Sequence, residues 1–160
     1  MDKFRSRLKS DDGFTLIELM VVVLIIAILI AIAIPTFLGA RNRAQDKAAQ
    51  SNLRNALVTE DEYFTDSQAY SETAADMEAL EPQLDWASLD AAAGGVTPTL
   101  GATDQVVILQ SDSKSGTVFC LGKIATGATA GTYYAKGASA STCGVDPTAS
   151  PYQNTADGWK

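Results

Sequence analysis

Apolar and polar positions are spread very unevenly along this chain. Every residue from Leu19 to Ile34 is apolar, and no charge lies between Glu18 and Arg41. The uncharged span exceeds the roughly 20 residues that a helix needs to cross a bilayer core. It has no polar face, so it predicts a helix buried all round, in protein or in lipid. A domain of this size has no core large enough to enclose it, which leaves lipid. Val21, Val22, Val23 and the isoleucines favour strand in water. In hydrocarbon a lone segment satisfies its backbone only as a helix, so the solvent overrides the propensity.

Pro35 and Gly39 interrupt the pattern, and Pro35 predicts a kink or local melting. From Arg41 to Phe64 the pattern becomes amphipathic. Ala49, Leu53, Ala56, Leu57 and Phe64 recur at helical spacing, a stripe that faces a head domain or a filament core. Residues 73–82 predict a short helix, with Thr73 as its cap and Pro82 as its stop. Beyond a loop at 91–95, strand signals follow at 105–110, 117–124 and 132–136, separated by turns rich in Gly and Ser. Residues 96–100 make an edge strand at best, because Pro98 cannot donate to a ladder. The fold class is therefore α+β: a long N-terminal helix, apolar then amphipathic, packed on a small antiparallel sheet. The organisation read from the chain is 1–13, 14–40, 41–66 and a head over 67–160.

Charge adds direction. Lys3, Arg5, Arg7 and Lys9 precede the apolar run, so that end stays cytoplasmic and Arg41 onward is exported. The run is too long for an ordinary secretory signal, and no small-residue cleavage site follows it. The net charge of −7 argues against nucleic acid as a partner of the bulk surface. Arg41, Arg43 and Lys47 cluster just beyond the apolar run, placed for lipid headgroups or for acidic residues of neighbouring copies.

Catalytic chemistry finds little support. The chain has no His, which removes the commonest general base at neutral pH. It has no Gly-rich phosphate loop and no Gly-x-Ser-x-Gly. Glu60, Asp61 and Glu62 read as a solvated helix end. Asp146 and Asp157 could contribute to a calcium site, but no EF-hand spacing supports one. No catalytic residue, metal or cofactor is expected. Tyr63, Phe64, Tyr133, Tyr134, Trp86 and Trp159 show no regular period and read as core or ordinary surface. Cys120 and Cys143 both fall in the exported part, where disulfides persist. Their pairing would close a loop of about 24 residues, worth roughly 3 kcal/mol in the chain-entropy model. Two reduced, buried thiols are the alternative.

One residue conflicts with its surroundings. Glu18 opens the apolar run, where a lone carboxylate costs several kcal/mol or takes up a proton. It lies at headgroup level in water, or it awaits a cationic partner. The stretch Gly13, Phe14, Thr15, Leu16, Ile17, Glu18, Leu19 resembles the class III signal of type IV pilins and pseudopilins. A short basic leader ends in Gly, Phe follows, Glu comes four residues later, and about 16 apolar residues lead to Pro35. The resemblance is specific over residues 1 to about 60, and beyond that lies in layout only.

The resemblance implies a prepilin, cut between Gly13 and Phe14 by a membrane prepilin peptidase that also methylates the new Phe14 amine. It implies that Glu18 pairs with the Phe14 amine of a neighbouring subunit as filaments assemble. It implies partners too: further copies in a helical filament, the pilus assembly machinery, and membrane lipid before assembly. The chain would sit in the cytoplasmic membrane with its head outside, then in an extracellular filament. A pilus subunit would serve adhesion, twitching motility or DNA uptake. A pseudopilin of type II secretion is the alternative, and a single-pass anchored binding module is a further one.

Overall fold

The computed structural model of the chain describes residues 13–154 and 158–159. The basic residues before Gly13, and Asp157, lie outside the described residues. The chain divides into two compact units, Met1–Ala40 and Arg41–Lys160.

Helix α1 runs over Leu16–Ser67, 52 residues. In the first unit it is long and apolar enough to cross a membrane, and none of that stretch is buried. The helix is continuous through Pro35, which itself donates no backbone bond, so local melting does not occur in the single chain. The hydroxyl of Thr36 donates to the Ile32 carbonyl at 3.1 Å within this turn.

In the second unit the helical stripe meets a sheet. The strands β1 (Thr97–Leu100), β2 (Val106–Asp112), β3 (Val118–Ile124) and β4 (Gly131–Gly137) form one antiparallel meander in that order. Pro98 sits in edge strand β1, opposite Leu109, where its missing amide costs no ladder bond on the free side. Side chains alternate across the pleat and so make two cores. On one face Val107, Leu109, Phe119 and Leu121 pack with Ala49, Leu53 and Ala56 of α1, and with Met77 and Trp86. Leu57 and Phe64 pack at the margin of this core, so the stripe read from the sequence faces the head.

On the other face Ile108, Val118, Cys120 and Ala135 are covered by Tyr152 and Cys143 of the C-terminal segment. Cys120 and Cys143 are disulfide-bonded, with Cα atoms 5.4 Å apart. Gly122 admits the same segment: a Cβ there would lie 2.5 Å from the Pro147 ring, and Pro147 is fully buried. The segment then pairs with β4, where Tyr134 and Gln153 exchange two backbone hydrogen bonds of 2.9 Å. Trp159 ends the path, donating its indole N–H to the Cys120 carbonyl at 2.9 Å. Its ring meets Tyr134 and Phe119 edge-on, and the Arg54 guanidinium lies 5.4 Å from its centroid.

Helix α2 covers Ala74–Leu80, close to the expected 73–82. Thr73 occupies the cap position but its side chain makes no capping bond. The Ser71 hydroxyl accepts from the Thr73 amide instead, at 3.0 Å.

Candidate processing and assembly site

The start of α1 brings Thr15 and Glu18 together, directly after Phe14 in the chain. The Thr15 hydroxyl accepts the Glu18 amide at 3.2 Å. The Glu18 carboxylate in return accepts from the Thr15 amide at 2.9 Å and the Thr15 hydroxyl at 2.8 Å. This is a reciprocal capping box, with Thr15 as N-cap and Glu18 at the third helical position. The carboxylate thus lies over the helix N-terminus, where the unpaired amides favour negative charge. Thr15 is a member of this group that the sequence reading passed over. Its signal was present: Thr, two apolar residues, then Glu before an apolar run.

Phe14 is 83% exposed, and a Cβ on Gly13 would meet no atom within 4 Å. Among the described residues nothing therefore packs against Gly13 or covers Phe14. After it, the side chains from Leu16 to Leu38 project apolar surface outward on every side. An exposed apolar surface of this extent marks a lipid or protein contact.

Within the second unit, polar side chains hold α1 to the sheet and its loops. Asp46 accepts from Ser113 at 2.8 Å and from the hydroxyl of Ser115. Asn52 donates to the Ala91 carbonyl at 2.8 Å. These bonds fix α1 to the β2–β3 turn and to the loop before β1.

Glu60 corrects the sequence reading of the acidic run. It is fully buried, not solvated. It falls on the stripe because it lies seven and four residues beyond Leu53 and Ala56. One carboxyl oxygen accepts weakly from the Ser71 amide at 3.4 Å, and the other has no partner. Burial pushes its pKa up to about 8; the Ser71 amide acts against this, while Asp61 and Asp76 add repulsion. Asp61 is half-exposed; it accepts from Tyr70 at 3.1 Å and pairs with Lys123 at 3.7 Å. Glu62 is exposed, as expected.

Asp146 accepts from the amide and hydroxyl of Thr148 at 2.8 and 2.6 Å, a local turn that holds its carboxyl below the usual range. Asp157, its suggested calcium partner, lies outside the described residues. Among the described residues no group of three or more His, Cys, Asp or Glu is placed to hold a metal ion.

Comparison with known proteins places the N-terminal segment. Residues 8–34 match the prokaryotic N-terminal methylation motif. The chain is 40% identical over 73 residues to the type IV wide pilus major component PilA4 of Thermus thermophilus, covering 46% of this chain and 56% of that protein. It is 44% identical over 64 residues to the type IV major pilin protein PilA of Myxococcus xanthus, covering 40% of this chain and 29% of that one. It is 36% identical over 72 residues to the type II secretion system core protein G of Pseudomonas aeruginosa, covering 45% and 51%. The matched stretches span between about a third and just over half of these relatives' own lengths.

Proposed function

We propose that this chain, whose N-terminal segment is that of a type IV pilin precursor, is the structural subunit of a type IV pilus filament. The observation that carries the reading is an exposed apolar helix that opens on Gly13, Phe14 and the paired Thr15 and Glu18. Such a surface needs hydrocarbon before assembly and other helices after it. The chain rests in the cytoplasmic membrane by this helix, head outside, and leaves it for an extracellular filament.

A prepilin peptidase cuts after Gly13 and methylates the Phe14 amine. The Glu18 carboxylate of one copy then faces the Phe14 amine of a neighbour. Each charge alone is costly away from water, and together they relieve that cost. The pair rewards correct axial register more than it adds net stability. The head carries no catalytic role in this reading. Pilus assembly machinery handles the subunit, and adhesion, twitching motility or DNA uptake are the uses such a filament has.

The test uses the full chain in a producing cell. Electron microscopy of sheared surface material shows fibres containing it. Glu18→Ala chain is made and inserted, but its fibres are lost. Normal fibres from Glu18→Ala would remove the registry role. A second reading, a pseudopilin of type II secretion, is favoured by the similarity to core protein G. It predicts no long fibres on sheared surfaces. The Cys120–Cys143 bridge favours the pilus subunit.

A further inference from the structure

In the second unit α1 begins with cations and ends with carboxylates. Arg41, Arg43 and Lys47 stand at the start of its helix, exposed. Lys47 reaches Gln50, while the side chains of Arg41 and Arg43 make no hydrogen bond or ion pair among the described residues. Between Arg54 and Lys114 the sequence holds 12 Asp or Glu and no Lys or Arg. The lysines nearest this acidic stretch are engaged, Lys114 with Asp90 and Lys123 with Asp61.

Part of that stretch forms a groove. The last turns of α1 and helix α2 enclose about 440 Å³ between Tyr63, Asp66, Asp76, Ala79 and Leu80. Asp76 is held in place by Ser71 at 2.8 Å and Tyr63 at 3.4 Å. The Asp66 side chain is exposed and makes no hydrogen bond or ion pair among the described residues. Leu80 is 40% exposed and offers an apolar wall. Carboxylates beside an apolar wall and a tyrosine ring suit a side chain with an aliphatic stem and a planar cation, which is arginine.

The two ends cannot meet within one chain. Asp66 lies 23 residues beyond Arg43 on one helix, about 35 Å at 1.5 Å per residue. Resting on the filament reading above, we propose that the groove between the end of α1 and α2 receives Arg41 and Arg43 of another copy of this chain. The contact joins two different surfaces, so it repeats head to tail, the kind of contact that builds an open helical filament when its rotation does not close a ring. Its charges set partner choice and register more than affinity. It lies in the head, separate from the Glu18 pair, and gives the filament a second, salt-sensitive register mark.

The test is charge reversal in the full chain, with sheared fibre as readout. Arg41→Asp with Arg43→Asp lowers fibre yield about tenfold at physiological salt. Adding Asp66→Arg, an exposed groove position with no side-chain bond, restores it in part. In fibres of Arg43→Lys chain, a carbodiimide links position 43 of one copy to Asp66 of another. Normal fibres from the double Arg variant would overturn this contact and leave the filament reading standing. Loss without rescue, together with weaker retention on vesicles holding about one-third phosphatidylserine, would assign the arginines to lipid and overturn it too. If the unaltered chain forms no fibres, the filament reading fails first.

Discussion

Glu60→Gln isolates the energetic effect of a single buried carboxyl. Glu60 is fully buried on α1, has one unpartnered oxygen, and faces Asp61 and Asp76 with no cation bound to it. Its pKa is raised from 4.5 to about 8 on folding. Between those values the folded head holds a proton that the unfolded chain has released. Stability therefore falls as pH rises through that window and levels off above it. From pH 5 to pH 7.5 the loss is about 3 kcal/mol, at 1.36 kcal/mol per unit. Asp90 and Asp146, whose pKa values are lowered, act with the opposite sign and below this window. The assay is urea unfolding of the detergent-held chain, read from the fluorescence of Trp86, which is 1% exposed. The parent midpoint should fall steadily over that range, while that of Glu60→Gln stays flat. The difference between the two proteins should move toward the variant by about 3 kcal/mol. An unchanged slope in Glu60→Gln would refute the assignment of the proton to Glu60.

Three further substitutions probe the head. Gly122→Ala drives a methyl into Pro147 and should cost about 1–3 kcal/mol, with the C-terminal segment cut sooner by protease. Cys143→Ser opens the loop that the bridge closes and should cost roughly 3 kcal/mol, seen as a lower guanidinium midpoint. Leu53→Ala leaves a void between α1 and the sheet at a position with no exposure, for about 2–5 kcal/mol, read by the same unfolding curve.

The parts of this molecule legible in its sequence are those set by one solvent or one period. The run from Leu19 to Ile34 declares its environment by having no polar face. The stripe through Ala49, Leu53 and Ala56 declares its inner side by helical spacing. The strand runs are short, β-favouring and bounded by turn residues, and Pro98 marks the sheet edge as its chemistry requires. Glu60 was misread because residue type was allowed to outweigh position: a carboxylate on the apolar side of a helix stays there when its proton makes it neutral. Thr15 carries its own signal, a capping box within four consecutive residues, beside the more conspicuous carboxylate of Glu18.

Beyond its bridge to Cys120, the course of the C-terminal segment could not be read from the sequence. Pro147 on Gly122, Gln153 on Tyr134 and Trp159 on Cys120 join residues far apart in sequence. The segment that supplies them is short of apolar residues and has no period. Its path follows from the bridge and from the space that Gly122 leaves, neither of which is a local property.

The most direct test of the account is the mass of the first peptide of this chain recovered from its producing cells. A peptide that begins at Phe14 and carries one added methyl group at its amine is the predicted result. A chain recovered only with the bond between Gly13 and Phe14 intact would contradict the account, because no free amine would then exist for Glu18 to meet.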